Sequence, residues 1–120
     1  MNNKIMLFED DRTMLSLLKT LLTMEGFRVV LAEDGLVDNL LISIMNEQPD
    51  IILLDVNLRQ GSGIDLLSAI RANPALDNVR VIMSSGMDFK DECLQKGAQG
   101  FILKPYMPDD LIKVISPSLN

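Results

Sequence analysis

The sequence predicts an α/β fold, a doubly wound five-stranded parallel sheet covered by five helices. Two observations predict it. Short apolar runs alternate with longer segments of helical period along the chain. The inner runs, residues 51–54 and 81–83, contain no polar residue, as strands covered by helices on both faces require.

The elements follow in order. Residues 4–8 read as the first strand. Residues 13–25 read as a helix in which Met14, Leu17, Leu18, Leu21 and Leu22 form one apolar stripe, with Gly26 as the stop. Residues 27–32 are rich in strand formers. Residues 36–45 carry Leu40, Leu41, Ile44 and Met45 at helical spacing, and Pro49 lies just beyond. After the strand at 51–54, Ile64, Leu67 and Ile70 mark a helix that ends before Asn73-Pro74. The strand at 81–83 leads to a short helix over 89–96 that stops at Gly97. Residues 100–103 form the last strand, and Pro108 suits the first turn of a final helix over 108–115.

A chain of 120 residues predicts one domain, residues 1–120, able to bury its own core. No apolar stretch approaches the roughly 20 residues of a membrane span, so no membrane insertion is expected. The first residues lack the long apolar segment of a signal peptide, and the single cysteine, Cys93, excludes an internal disulfide. Both point to the cytoplasm. The net charge of −6 and the scattered 11 basic residues argue against direct nucleic-acid binding. Histidine is absent, which removes His-based zinc sites and Ser-His-Asp triads.

In doubly wound sheets, ligands sit beyond the carboxyl ends of the strands. The residues there are Glu9 and Asp10, Asp55, Ser84 and Ser85, and Lys104, with Ala32, Glu33 and Asp34 at the sheet's margin. Glu9, Asp10 and Asp55 would form an acidic pocket facing the Lys104 amine and the Ser85 hydroxyl. Close carboxylates stay ionised together only beside a cation. Oxygen ligands without His or Cys select Mg²⁺, with Asp10 as direct ligand, Glu9 acting through water and Asp55 supplying an oxygen. Asp11 reads equally as a helix-start carboxylate. The same arrangement suits phosphoryl transfer: Asp55 attacks phosphorus in line, Lys104 and the metal neutralise the equatorial oxygens, and Ser85 hydrogen-bonds the attached group.

At these residues the sequence resembles the receiver domains of two-component response regulators, over essentially its whole length. The resemblance rests on FEDD at residues 8–11, IILLDVNLRQGSG at 51–63, VIMSSG at 81–86 and GFILKPY at 100–106. It implies a flavodoxin-like fold with strand order 2-1-3-4-5. It implies Asp55 as the phosphoacceptor, served by a histidine kinase or phosphotransfer protein. Glu9 and Asp10 match the family's metal-binding acids, and the Asn57 backbone carbonyl matches a further metal ligand. Ser85 matches the switch hydroxyl, Lys104 the family's lysine, and Phe101 the switch aromatic. Lys104-Pro105 matches a peptide bond that is usually cis in the family. Such a domain is a phosphoacceptor regulator, not an enzyme acting on external substrates, although it assists its own Mg²⁺-dependent phosphorylation and dephosphorylation. Its output is a downstream protein partner, unknown here, docking on the face of the fourth helix, fifth strand and fifth helix.

Two positions depart from the family pattern. Arg59 stands where many members have Pro, and Pro alone fixes φ. The segment from Ser85 to Lys104 is about three residues shorter than usual by comparison with the family, which places a deletion within residues 86–94. Three other functions fit the sequence less well. An aspartyl-phosphate phosphohydrolase needs an acid-x-acid motif after the first strand and a cap. A phosphorylation-independent interaction module would be marked by loss of Asp55, Lys104 or the acid pair. An FMN carrier needs backbone N–H groups and hydroxyls at its phosphate cradle, not Glu9-Asp10.

Overall fold

In the computed structural model, which describes residues 3–33 and 35–116, the continuous apolar runs become inner strands with both faces covered. The chain runs through β1 (Lys4–Phe8), α1 (Arg12–Met24), β2 (Arg28–Leu31), α2 (Val37–Glu47) and β3 (Ile51–Asp55). It continues through a small hairpin of β4 (Asn57–Leu58) and β5 (Gly61–Ser62), then α3 (Gly63–Arg71) and a 3-10 turn (Pro74–Leu76). The last elements are β6 (Arg80–Ser85), α4 (Lys90–Gln95), β7 (Gly100–Leu103) and α5 (Pro108–Ile115). The main sheet has the order β2-β1-β3-β6-β7, every neighbouring pair parallel. With the hairpin set aside, this is the expected order 2-1-3-4-5.

Strand pleating divides the core, because successive side chains point to opposite faces. Ile5, Leu7, Ile51, Leu53, Ile82 and Ile102 pack with Leu18 and Leu22 of α1 and Leu111 and Ile115 of α5. Met6, Phe8, Ile52, Leu54, Val81 and Met83 pack on the other face with α2, α3 and Cys93 of α4. All five residues of β3 are buried. Each fully buried Leu or Ile contributes about 1.5–3 kcal/mol relative to exposure.

The helix ends follow local chemistry. Asp11 caps α1 by accepting from Met14 N–H at 3.0 Å. Ser62 caps α3 by accepting from Ile64 N–H and Asp65 N–H. The helix bounds lie within two residues of those expected, and those of α5 coincide. The β4–β5 hairpin and the 3-10 turn were not anticipated, because two- and three-residue elements carry no periodic pattern. The short helix before Gly97 is α4, and it has six residues.

Arg71, at the end of α3, fixes the turn into β7. Its guanidinium donates to the carbonyls of Gly97 at 2.8 Å, Val79 at 2.7 Å and Leu76 at 3.3 Å, and to Gln99 Oε1 at 2.7 Å. Gly97 has φ +105, and a Cβ there would lie 2.8 Å from Arg71 Cγ, so this turn needs glycine on two counts.

Candidate functional site

Sheet register brings the predicted residues together. Phe8 pairs with Leu54, so Glu9 and Asp10 leave β1 beside Asp55 at the end of β3. Asp55 pairs with Ser84 of β6, and Ser85 pairs with Leu103 of β7. Lys104 N–H then donates to the Ser85 carbonyl at 2.8 Å, carrying the ladder one residue past β7. The Lys104–Pro105 peptide bond is cis.

Lys104 Nζ bridges two carboxylates, at 2.6 Å from Glu9 Oε1 and 2.8 Å from Asp55 Oδ2. The Glu9 and Asp55 side chains are only 4% and 8% exposed, so solvent screens this triad weakly. Each carboxylate has one further donor. Asp11 N–H reaches Glu9 Oε2 at 3.2 Å, and Asn57 N–H reaches Asp55 Oδ1 at 3.0 Å. Burial raises the Glu9 pKa despite the opposing pull of Lys104 and the Asp11 N–H. Burial by itself would lower the Lys104 pKa, but its hydrogen bonds to Asp55 and Glu9 outweigh that and hold it above its ordinary value.

Asp10 is exposed at the mouth of the site. Glu9, Asp10 and Asp55 each offer a carboxylate oxygen, and these lie within 4.8 Å of one another. Three carboxylates against one ammonium leave an excess of negative charge on hard oxygen donors. That donor set fits Mg²⁺. Asp11 stands apart, its side chain being the α1 cap. Of the residues at the sheet's margin, Asp34 lies outside the described residues, while Glu33 lines a small cavity with Asp10, Leu58, Arg59 and Gln60.

The β4–β5 hairpin closes tightly on the end of β3. Asn57 begins it, paired with Ser62, and its N–H orients Asp55. Gly63 N–H donates to the Val56 carbonyl at 2.7 Å, and a Cβ on Gly63 would collide with the Asp55 carbonyl oxygen. Only glycine permits this approach.

Ser85 ends β6 at the same edge of the sheet, but its hydroxyl does not join the Lys104 bridge. Pleating puts Ser85 and Phe101 on the face of Val81 and Met83, where Phe101, partly buried, packs against the core and pairs with Met83. Ser85 is fully buried, and its Oγ accepts from Met87 N–H at 3.1 Å. The structure therefore brings Glu9, Asp10, Asp55 and Lys104 into one site and leaves the Ser85 hydroxyl engaged in its own turn.

One residue beside the site was not foreseen. Tyr106 Oη is buried without a hydrogen-bond partner. Burial, with the negative charges of Glu9 and Asp55 over the opposing effect of Lys104, pushes its pKa up to about 12. Its place two residues after Lys104 was the available signal.

The sequence matches the family model of the response regulator receiver domain over residues 5–116. It is 34% identical over 118 residues to the transcriptional regulatory protein CpxR of Escherichia coli (strain K12), covering 98% of this chain and 50% of CpxR. It is 30% identical over 124 residues to the chemotaxis protein CheY of Bacillus subtilis (strain 168), covering 100% of both. The chain thus spans about half the length of CpxR and the whole of CheY. Among solved structures, the receiver domain of the sensor histidine kinase PA1611 of Pseudomonas aeruginosa PAO1 has a TM-score of 0.82 at 25% identity. That match covers 98% of this chain and 97% of the other, and the other holds a magnesium ion in its active site cleft.

Proposed function

The chain belongs to the response regulator receiver domain family, and we propose that in it Asp55 accepts a phosphoryl group from a histidine kinase or a phosphotransfer protein. A receiver domain is a phosphoacceptor signalling domain of two-component systems, and the observation that carries the residue assignment is the Lys104 bridge between Asp55 and Glu9. An Asp55 oxygen attacks phosphorus, the new O–P bond forms, and the bond to the donor's leaving group breaks with the leaving group taking the electron pair. Lys104 Nζ, already 2.8 Å from Asp55 Oδ2, faces the incoming negative oxygens. Asn57 N–H holds the other carboxylate oxygen, which limits rotation of the nucleophile.

Glu9, Asp10, Asp55 and the Asn57 carbonyl would hold Mg²⁺, which supplies charge neutralisation at the phosphoryl oxygens. The magnesium in the cleft of the PA1611 receiver supports that assignment. Glu9, Asp10, Asp55 and Lys104 share one site, so a phosphorylation-independent module is not favoured. Assistance to its own phosphorylation and dephosphorylation belongs to the same set of residues.

Phosphorylation then switches the face made by α4, β7 and α5. Leu94, Leu103 and Met107 are exposed there, at 39%, 50% and 68%, and offer apolar contact to a downstream protein. Ser85 leaves its turn with Met87 to reach the phosphoryl group, and Phe101 follows inward. The net charge of −6 favours a protein over a nucleic acid as the direct partner of this domain. No helix among the described residues is long and apolar enough to cross a membrane. A cytoplasmic location is part of the same proposal, supported by the reaction proposed with a histidine kinase or phosphotransfer protein.

Incubation with acetyl phosphate and Mg²⁺, read by intact-mass spectrometry, tests the assignment. Wild type is expected to gain one phosphoryl group and Asp55→Asn none. Equal labelling of Asp55→Asn overturns Asp55 as the acceptor.

A further inference from the structure

We infer that Tyr106 is a positioning residue for Glu9: its buried hydroxyl becomes the donor to the Glu9 carboxylate when Lys104 turns from Glu9 to a phosphoryl group on Asp55. The inference rests on Asp55 being the phosphoacceptor. Tyr106 Oη is the one buried side-chain polar atom without a hydrogen-bond partner among the described residues. A phenol hydroxyl buried and unpaired is costly, which points to a second arrangement in which it is paired. Its surroundings say with what. The Tyr106 ring packs against the core of Ile5, Leu7, Leu53 and Ile102 under α1 and α5. Strand alternation carries Glu9 after Leu7, Asp55 after Leu53 and Lys104 after Ile102 onto that same face. Burial first, and then the charges of Glu9 and Asp55, push the phenol pKa up to about 12, so both carboxylates are within electrostatic reach of the hydroxyl.

Of the two carboxylates, Asp55 gives an oxygen to the new O–P bond, which leaves Glu9 as the acceptor. In the resting arrangement Glu9 is already served. Lys104 Nζ lies 2.6 Å from its Oε1, and Asp11 N–H lies 3.2 Å from its Oε2. A phosphoryl group on Asp55 brings negative oxygens beside that ammonium, which is 2.8 Å from Asp55 Oδ2, and draws it towards them. Glu9, its side chain only 4% exposed, then loses its shortest partner with little water to replace it. The Tyr106 hydroxyl is desolvated on this face beforehand, and its proton turns freely about the C–O bond. It keeps the Glu9 carboxylate in place while Lys104 serves the phosphoryl group.

The test uses Tyr106→Phe, which keeps the ring and removes only the hydroxyl. The variant is expected to match or exceed wild type in thermal stability, since no hydrogen bond is lost and an unpaired polar group leaves the interior. Its Mg²⁺ affinity without a phosphoryl group is expected to stay within about twofold of wild type, because Lys104 still holds Glu9 there. With Mg²⁺ present, its affinity for beryllium trifluoride, which mimics a phosphoryl group on a carboxylate, is expected to be about tenfold weaker by amide NMR titration. Tyr106 is the single tyrosine, so a ¹³Cζ label reports its phenol directly. That resonance is expected to move in wild type when the analogue is added. Equal affinities of the two proteins for the analogue, or an unmoved resonance in saturated wild type, overturn the inference. A loss that Mg²⁺ affinity shares in full overturns it too, as a structural effect. If wild type takes up neither the analogue nor a phosphoryl group from acetyl phosphate, the phosphoacceptor reading has failed, and the inference fails with it.

Discussion

Asp10 and Glu9 are neighbours in sequence with different tasks. Glu9 is held by Lys104 and the Asp11 N–H, while Asp10 is exposed and free to give its oxygens to a cation. Replacing Asp10 removes one hard ligand from a small set and leaves the Lys104 bridge in place. Asp10→Ala is therefore expected to lose most Mg²⁺ affinity, about tenfold or more, with little change in thermal stability. A Mg²⁺ titration followed by amide NMR checks this, and unchanged affinity would remove Asp10 from the metal site. Tyr106 offers a second test. It is the single tyrosine in a chain without tryptophan, so absorbance near 295 nm would report it alone. Its phenol should ionise near pH 12 instead of its ordinary 10.0. A folded-state pKa raised above the unfolded value contributes stability that is complete below about pH 10 and lost as pH rises towards 12. Ionisation at the ordinary value in folded protein would show that the hydroxyl is not sheltered.

Arg71 makes the corresponding point for the elements. One guanidinium satisfies three carbonyls and the Gln99 side chain, joining the end of α3 to the turn between α4 and β7. Arg71→Ala would strand those acceptors, and the expected destabilisation is about 2–4 kcal/mol by urea unfolding. A loss under about 0.5 kcal/mol would mean that water replaces the guanidinium readily. These long-range bonds were not legible in the sequence, since nothing local to Arg71 announces partners at Val79 and Gln99. The strands were legible because their apolar runs end sharply. Ile51 to Leu54 finishes at Asp55, and the first run finishes at Glu9 and Asp10, so the acidic site could be assembled from strand ends alone. The Asn57–Ser62 hairpin could not, being four paired residues without a period.

At the scale of the whole molecule, the two faces of the sheet carry the two halves of the proposed function, capture and output. By strand alternation Asp55 follows Leu53 onto the face of the α1–α5 core, whereas Ser85 follows Met83 onto the face where Phe101 packs, beneath α2, α3 and α4. A phosphoryl group on Asp55 alters the second core only if it binds one arrangement of Ser85 better than another. Amide shifts over residues 87–115 are therefore expected to change on phosphorylation, and Ser85→Ala should still be labelled but respond much less. Labelled wild type with unchanged shifts would describe a phosphate sink, not a switch. All of this depends on where the phosphoryl group sits. Borohydride reduces an aspartyl phosphate to homoserine, which survives digestion and can be located by tandem mass spectrometry. After treatment with acetyl phosphate and Mg²⁺, phosphoryl capture by Asp55 predicts homoserine at that residue alone. Homoserine at Asp10 or Asp11 with Asp55 intact would contradict it.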